Sequence, residues 1–196
     1  MEISFGQYKL ALGKYGDALV AQSRARFDEA VDRGNVYAFA DQAGAAIVAP
    51  ATTTYVGAIV ANRAGSGKKV KIWCASVTHT VVFAAVSGIG LRGGLNGASF
   101  AETTAATVFN LKTFDLSMPP GVFCGVAATV AAGTIIDILG AGLTGAVTTI
   151  PAMPALSKWY DGAIQVPEGR YLGFAGSAVF AAASGFGSFI IEVTDK

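Results

Sequence analysis

The chain has 196 residues, of which 53% are hydrophobic and 14% charged, and its formal net charge is +1. This length suits one domain with a proper core. The weak net charge argues against nucleic-acid binding as the main task, because no broad basic field is present to attract phosphate. So few charges leave surplus apolar surface, which predicts contact with partner subunits or with lipid.

The first 34 residues predict an N-terminal arm or a short helix. Residues 1–16 carry neither a basic leader nor a long apolar core, so we expect no secretory signal. From Asp17 to Arg33 the apolar residues fit one helical face, with Asp17 as the expected N-cap and Gly34 as the C-cap. An extended arm that lies across a neighbouring subunit is the alternative.

Residues 35–196 predict one all-β domain of many short strands, a sandwich that is jelly-roll-like. Turn residues separate the strands, as at Pro119–Gly121 and Pro167–Arg170. The glycine-rich stretch 88–97 predicts a loop that is too flexible for a strand interior. The expected strands cover residues 36–40, 45–49, 55–62, 69–80, 81–86, 107–111, 122–130, 145–150, 162–180 and 187–194.

The clearest local pattern surrounds a Gly-Ser-Gly tip at residues 65–67. Two runs rich in β-branched and aromatic residues flank it, which predicts a hairpin with Arg63, Lys68 and Lys69 near the tip. Alternation along the second strand predicts two faces, one with Lys69, Lys71, Trp73 and Ala75, the other with Val70, Ile72, Cys74 and Ser76.

Three motifs that could indicate an enzyme fail on inspection. Gly140–Gly145 matches the dinucleotide fingerprint, but a strand-like run stopped by Pro151 follows where a helix is required. Asn62–Lys69 resembles half of a phosphate loop, yet a tight turn whose lysines contact an acidic neighbour explains it better. His79 is the only histidine, and Cys74 faces the other side by parity.

The remaining reactive side chains show no functional spacing. Asp115, Asp137, Asp161 and Glu168 are scattered, without the spacing of an acid/base pair or a metal cluster. We therefore expect no enzymatic activity and no catalytic, cofactor-binding or metal-binding residues. Cys74 and Cys124 fit no metal motif; two buried thiols are favoured, and a single disulfide within or between chains is the alternative.

A membrane protein is the main rival on composition. Residues 117–157 carry Asp137 as their only charge and residues 171–191 carry none, so each span is long enough to cross a bilayer. Prolines interrupt the first span, basic flanking residues are sparse, and Asp137 has no evident partner. We therefore favour packed strands in an oligomer over membrane insertion.

Several segments resemble landmarks of small virion structural proteins of tailed bacteriophages: Arg33–Tyr37, Ala51–Gly57, Asn62–Lys68, Val166–Gly173 and Gly187–Val193. The resemblance implies a jelly-roll-like β domain that decorates, or cements, the capsid and has no catalytic residues. It further implies a homo-oligomer, by analogy a trimer, that binds the major capsid protein. Such a protein assembles in the host cytoplasm and stays on the capsid surface of the virion.

The alternative is a receptor- or glycan-binding module of a phage tail or head fibre. Four aromatic residues, Trp73, Trp159, Tyr160 and Tyr171, could line a sugar groove, although packing in a core or interface is the more usual role. This hypothesis predicts sugar contacts from exposed rings such as Trp159 and Tyr160.

Overall fold

The computed structural model describes residues 2–5, 8–11, 23–81, 88–95, 101–141, 155–177 and 184–196. They form an all-β sandwich of two antiparallel sheets with one short helix, which confirms the predicted fold class; the jelly-roll connectivity stays a prediction. In chain order the elements are β1 (Glu2–Phe5), β2 (Tyr8–Ala11), α1 (Ser23–Asp32), β3 (Val36–Ala40), β4 (Ala45–Ala46), β5 (Thr54–Asn62), β6 (Lys68–Val81), β7 (Gly88–Leu95), β8 (Ala101–Ala105), β9 (Val108–Asn110), β10 (Val122–Thr129), β11 (Gly133–Ala141), β12 (Leu156–Val166), β13 (Arg170–Gly176) and β14 (Ser184–Asp195).

The chain passes between the two sheets at most of its connections. Sheet I has the strand order β11-β7-β13-β5-β10-β8, and sheet II has the order β12-β6-β14-β3-β9, with β4 also paired to β14. Among the described strands of the sandwich, none pairs with the strand that precedes or follows it in the chain. β1 and β2 form a separate two-stranded sheet that pairs with neither.

The predicted hairpin around residues 63–69 is wrong. β5 lies in sheet I and β6 in sheet II, so these strands do not pair, and the segment between them is an arch from one sheet to the other. Gly65 and Gly67 take φ angles of 70° and 67°, which glycine adopts without steric cost. The turn at residues 167–169, predicted correctly, is a second arch, since it leads from β12 in sheet II to β13 in sheet I.

The alternation of β6 is correct only as far as Trp73. Ile72 and Cys74 pair with consecutive residues of β14, so Trp73 is an extra residue, a β-bulge. The bulge reverses the alternation beyond it. Ala75, rather than Cys74, therefore joins Val70 in the core between the sheets, where the rings of Phe174 and Phe189 stack 4.7 Å apart.

The glycine-rich stretch 88–97 is not the predicted loop, because Gly88–Leu95 forms β7, an inner strand of sheet I. A Cβ atom added at Gly94 would lie 2.7 Å from the Tyr171 ring, and one at Gly133 would lie 2.5 Å from the Tyr171 hydroxyl. Glycine is needed here because an aromatic side chain lies across the strands, and not because the backbone is irregular.

The same outer face of sheet I buries one cation. The Arg92 side chain is fully buried, with its guanidinium 4.7 Å from the Tyr55 ring and 5.4 Å from the Tyr171 ring. Its Nη1 atom donates to the carbonyl oxygens of Ala49, Pro50 and Thr52. Burial lowers the pKa of Arg92. The two aromatic faces and three carbonyls compensate for only part of the lost water, because Nε and Nη2 have no hydrogen-bond partner among the described residues.

Helix α1 replaces the alternative of an extended arm over residues 23–32. It ends as predicted: Gly34 has φ 74°, and the N–H groups of Gly34 and Asn35 donate to the carbonyls of Val31 and Ala30. The expected N-cap, Asp17, lies outside the described residues. Within the described part of the chain, no helix is long and apolar enough to span a membrane.

Most other predicted strands are present at about the expected positions, among them β3, β9, β10 and β14. Besides β7, four strands, β1, β2, β8 and β11, and the first half of β12 were not predicted. The expected strand at 145–150 and most of that at 81–86 lie outside the described residues.

Candidate functional site

The structure separates the residues that the tested motifs bring together in sequence. Asn62–Lys69 forms the first arch, and Gly140 belongs to the end of β11, whereas residues 142–145 of the fingerprint lie outside the described residues. The backbone of His79 pairs with that of Gly185 in β14. No group of three or more His, Cys, Asp or Glu side chains in the described ranges could hold a metal ion.

Both cysteines are buried free thiols, as the favoured reading predicted. Cys74 belongs to sheet II and Cys124 to sheet I. Burial raises the pKa of each thiol, so both stay protonated and are poor nucleophiles. Neither is therefore a candidate catalytic residue.

Two of the three basic groups near the first arch, Arg63 and Lys68, form ion pairs within the chain. Arg63 forms a bidentate ion pair with Glu102, and the Lys68 ammonium lies 2.5 Å from the Asp195 carboxylate. The second arch makes a similar contact, 2.9 Å between Lys196 and Glu168. The predicted acidic neighbour of the lysines is thus present for Lys68, while Lys69 is exposed and forms no ion pair with a described residue.

Asp137 has the partner that its sequence context does not reveal. Its carboxylate accepts a hydrogen bond from the Tyr160 hydroxyl at 2.5 Å and two from the Lys158 ammonium at 3.0 and 2.9 Å. Burial alone would raise the pKa of Asp137, but these hydrogen bonds outweigh it and lower the pKa. The cluster joins β11 of sheet I to β12 of sheet II, so its role is to close one edge of the sandwich.

Three aromatic side chains pack together where α1 lies on the outer face of sheet II. They are Phe27 of α1, Trp73 of β6 and Trp159 of β12, and we call them the aromatic surface. The Phe27 ring packs edge-to-face on Trp73 at 5.2 Å and on Trp159 at 5.7 Å. Trp73 is buried and its Nε1 atom donates to Glu192 at 3.2 Å, whereas Trp159 is 55% exposed. The Lys71 ammonium lies 3.1 Å from the carboxylate of the buried Glu192 and balances its charge.

β12 bends sharply beside this surface. Between Trp159 and Ile164 the strand carries four residues opposite Trp73 alone, and Asp161 within them has φ 50°, rare for a residue other than glycine. Bulges and positive φ angles concentrate at binding sites. Tyr160, predicted to be an exposed sugar ligand with Trp159, instead packs against the core and bonds Asp137, so that part of the prediction is wrong.

A groove of about 390 Å³ lies on the other side of Phe27. We call it the acidic groove; its lining residues are Phe27, Asp28, Val31, Asp32, Leu111 and Phe114. One wall is α1 and the other is the loop after β9. Its rim combines two carboxylates with an aromatic ring that is 72% exposed, that of Phe114.

The loop wall of the acidic groove is held rigidly. Asn110 donates from Nδ2 to the Gly34 carbonyl at 2.6 Å and accepts at Oδ1 from the N–H of Lys112 at 2.9 Å. The Lys112 ammonium in turn donates to the backbone carbonyl of Asp32. Phe114 takes φ 57°, an unfavourable value for a bulky residue. The backbone that carries the exposed ring is therefore held in place.

Two exposed apolar patches lie at opposite edges of the sandwich. The loop patch, Phe109, Phe114 and Leu116, adjoins the acidic groove near the edge strand β9. The edge patch, Ile136 and Ile138, lies at the other edge of the sandwich, on β11, which is an edge strand of sheet I. Each of its two side chains is about half exposed. Sequence reasoning missed both patches and the acidic groove, because β11 was not predicted as a strand and the groove joins distant segments.

A scan against protein-family models found no match, and neither the search of curated proteins nor that of solved structures found a similar protein.

Proposed function

We propose that this protein is a non-enzymatic virion structural protein that decorates or cements the capsid of a tailed bacteriophage through oligomeric β domains. Its partners are further copies of itself, with a trimer favoured by analogy, and the major capsid protein. The resemblance of the arch segments and of the last strand to such proteins supports the virion assignment.

The observation that carries the proposal is the pair of exposed apolar patches on a rigid sandwich. Apolar surface on a folded subunit costs free energy in water, roughly 25 cal/mol per Å², and marks contact with other proteins. A decoration protein must contact both its own copies and the shell. The loop patch and the edge patch lie at different edges, so one subunit has separate surfaces for these two contacts.

Attachment to shells tests the proposal. Capsids of the phage that encodes this chain are prepared without it, incubated with the purified protein and pelleted. We expect co-sedimentation that saturates at a fixed ratio to the major capsid protein, with ordered density on the outer surface in electron cryo-microscopy. Protein that stays in the supernatant at every concentration contradicts the proposal.

Variants of the edge patch sharpen this test. Ile136→Ser with Ile138→Ser removes exposed apolar area without touching the core, so we expect about tenfold weaker attachment. Thr134→Ser is the matched control, since Thr134 is exposed on the same strand and not part of the patch. Equal attachment of both variants would assign shell contact to another surface.

Trp159 favours one second candidate, a receptor- or glycan-binding module of a tail or head fibre. Its indole is 55% exposed beside Phe27, next to the bent segment at Asp161, and exposed aromatic rings are suited to stacking against sugar rings. A glycan array that shows binding by the wild type and none by Trp159→Ala would support this function. No binding to any glycan would count against it.

A further inference from the structure

We propose that the acidic groove receives the N-terminal segment of a second copy, residues 2–16 with β1 and β2, so that subunits associate by exchanging these segments. The inference depends on the proposed function only in requiring self-association. It adds the two surfaces that meet and the chemistry that joins them.

The two exposed carboxylates of the acidic groove are open to a cation from outside the body. Asp28 and Asp32 are one helical turn apart on α1, a spacing at which like charges destabilise a helix. Asp32 also lies in the last turn, where the helix dipole disfavours a negative charge. Within the described part of the chain neither carboxylate forms an ion pair, since the Lys112 ammonium donates to the backbone carbonyl of Asp32 and not to its side chain, whereas the nearby Glu29 pairs with Arg33 at 2.5 Å.

The apolar part of the groove is ready to receive a side chain. Phe27, Val31 and Leu111 form its floor and the Phe114 ring stands exposed at its rim. Because Asn110 ties the loop wall to the end of α1, little conformational freedom is lost when the groove is filled. The occupant should therefore combine an apolar or aromatic side chain with a nearby lysine or arginine.

The N-terminal segment has this composition. Residues 2–16 carry Lys9 and Lys14 and one acidic residue, Glu2 at the start of β1, and Tyr8, Leu10 and Tyr15 lie close to the lysines in sequence. β1 and β2 pair only with each other. An isolated two-stranded hairpin is marginally stable in water, so this segment needs a surface to bind.

A second copy is the occupant that accounts for the surroundings of the groove. The loop patch extends the apolar surface past the groove, through Phe109 and Leu116. A neighbouring body that follows its own N-terminal segment would cover this area as well, and stable interfaces between subunits bury on the order of 1,600 Å². A segment bound to the groove of its own chain would leave the loop patch open.

A charge swap in the full-length protein tests the exchange. One variant carries Asp28→Lys with Asp32→Lys, another carries Lys9→Glu with Lys14→Glu, and a third carries all four changes. Mass is measured by light scattering after gel filtration over a wide range of concentrations. We expect each double variant to associate at least about tenfold more weakly than the wild type, and the fourfold variant to recover, because opposite charges face each other again.

The control is Glu29→Arg with Arg33→Glu, which reverses an exposed ion pair on α1 outside the groove and should leave association unchanged. Circular dichroism verifies that every variant is folded. A wild type that is monomeric throughout, double variants that associate normally, or a fourfold variant that fails to recover overturns the proposal. Monomers in which Lys9→Glu with Lys14→Glu instead lowers the unfolding midpoint would place the segment in the groove of its own chain.

The two proposals fail separately. If the protein attaches to shells and the charge variants still associate, the exchange is wrong and the capsid function stands. If the swap behaves as expected and the protein never attaches to shells, the exchange stands and the capsid function is wrong.

Discussion

Asn62 donates a hydrogen bond from Nδ2 to the carbonyl oxygen of Val166 at 2.9 Å, across 104 residues of the chain. The same nitrogen donates to the Lys68 carbonyl at 3.1 Å, and the N–H of Gly169 donates to the Asn62 carbonyl. Asn62 ends β5 and is fully buried. One amide side chain thus links both arches that connect the two sheets.

Asn62→Ala should destabilise the protein strongly. The substitution leaves the carbonyls of Lys68 and Val166 without this donor in a buried place, and each lost partner costs about 1–3 kcal/mol. We expect the free energy of unfolding to fall by about 3 kcal/mol in urea titrations followed by tryptophan fluorescence. Ser66→Ala is the control: Ser66 is only half-buried and bonds the Asn62 side chain at 2.6 Å, so its loss should cost about 1 kcal/mol. Equal losses would show that Asn62 has no special role in joining the arches.

Gly94→Ala should also destabilise the sandwich, by about 2 kcal/mol, since the new methyl group would lie 2.7 Å from the Tyr171 ring and force it to shift. Gly93→Ala is a closely matched control. There the nearest atom to the new methyl would be the Tyr171 carbonyl oxygen at an ordinary 3.6 Å. The control should therefore change the free energy of unfolding by less than about 1 kcal/mol. A reversed order of the two thermal midpoints would contradict the role given to the ring.

Sequence reasoning could predict local features of this fold, but it could not predict features that depend on residues far apart in the chain. The turn at Pro167–Arg170 and the end of α1 at Gly34 depend on local backbone chemistry, and both were predicted correctly. The glycine-rich sequence of β7 predicts a loop, because the reason for its glycines, the Tyr171 ring that lies across Gly94, exists only in the folded protein. A glycine that gives room to a distant ring cannot be told from a flexible one in a single sequence.

The prediction of a hairpin at the first arch was wrong for a related reason. Two apolar strands around a Gly-Ser-Gly tip predict a hairpin, and nothing local says that the second strand belongs to the other sheet. What decides the geometry is Asn62, through partners as distant as Val166. The acidic groove has the same character, since α1 and the loop at Phe114 are about 80 residues apart and meet through Asn110 and Gly34.

Acid should weaken the edge that Asp137 closes. Hydrogen bonds from Tyr160 and Lys158 hold the pKa of the folded carboxyl below the ordinary value of about 3.9 that it regains on unfolding. Its contribution to stability is therefore complete above about pH 4 and is lost as the pH falls through the lowered pKa. Asp137→Asn should be less stable than the wild type at neutral pH. The difference in unfolding midpoint should shrink as the pH falls below about 4.

Lys158→Met separates this effect from general acid unfolding. It removes one partner of Asp137 and leaves Tyr160 in place, so we expect an intermediate loss at neutral pH and a smaller change with acid than in the wild type. A constant difference between Asp137→Asn and the wild type from pH 7 to acid would contradict the assignment.

Refolding should be slow, because in the described part of the sandwich no strand pairs with its neighbour in the chain. Every pairing must close a long loop, at a cost in chain entropy, before its contacts can stabilise the folded state. The pairing of β3 with β14, for example, spans most of the sequence. Sandwiches with such non-local pairing fold in milliseconds to seconds, so we expect a main phase at the slow end of this range, about 1–10 s⁻¹, in stopped-flow dilution from urea. Proline isomerisation can also give slow phases. Interrupted unfolding, in which refolding begins before the prolines isomerise, removes that contribution. A main phase faster than about 100 s⁻¹ under these conditions would mean that an early local structure guides the chain, which the strand order does not provide.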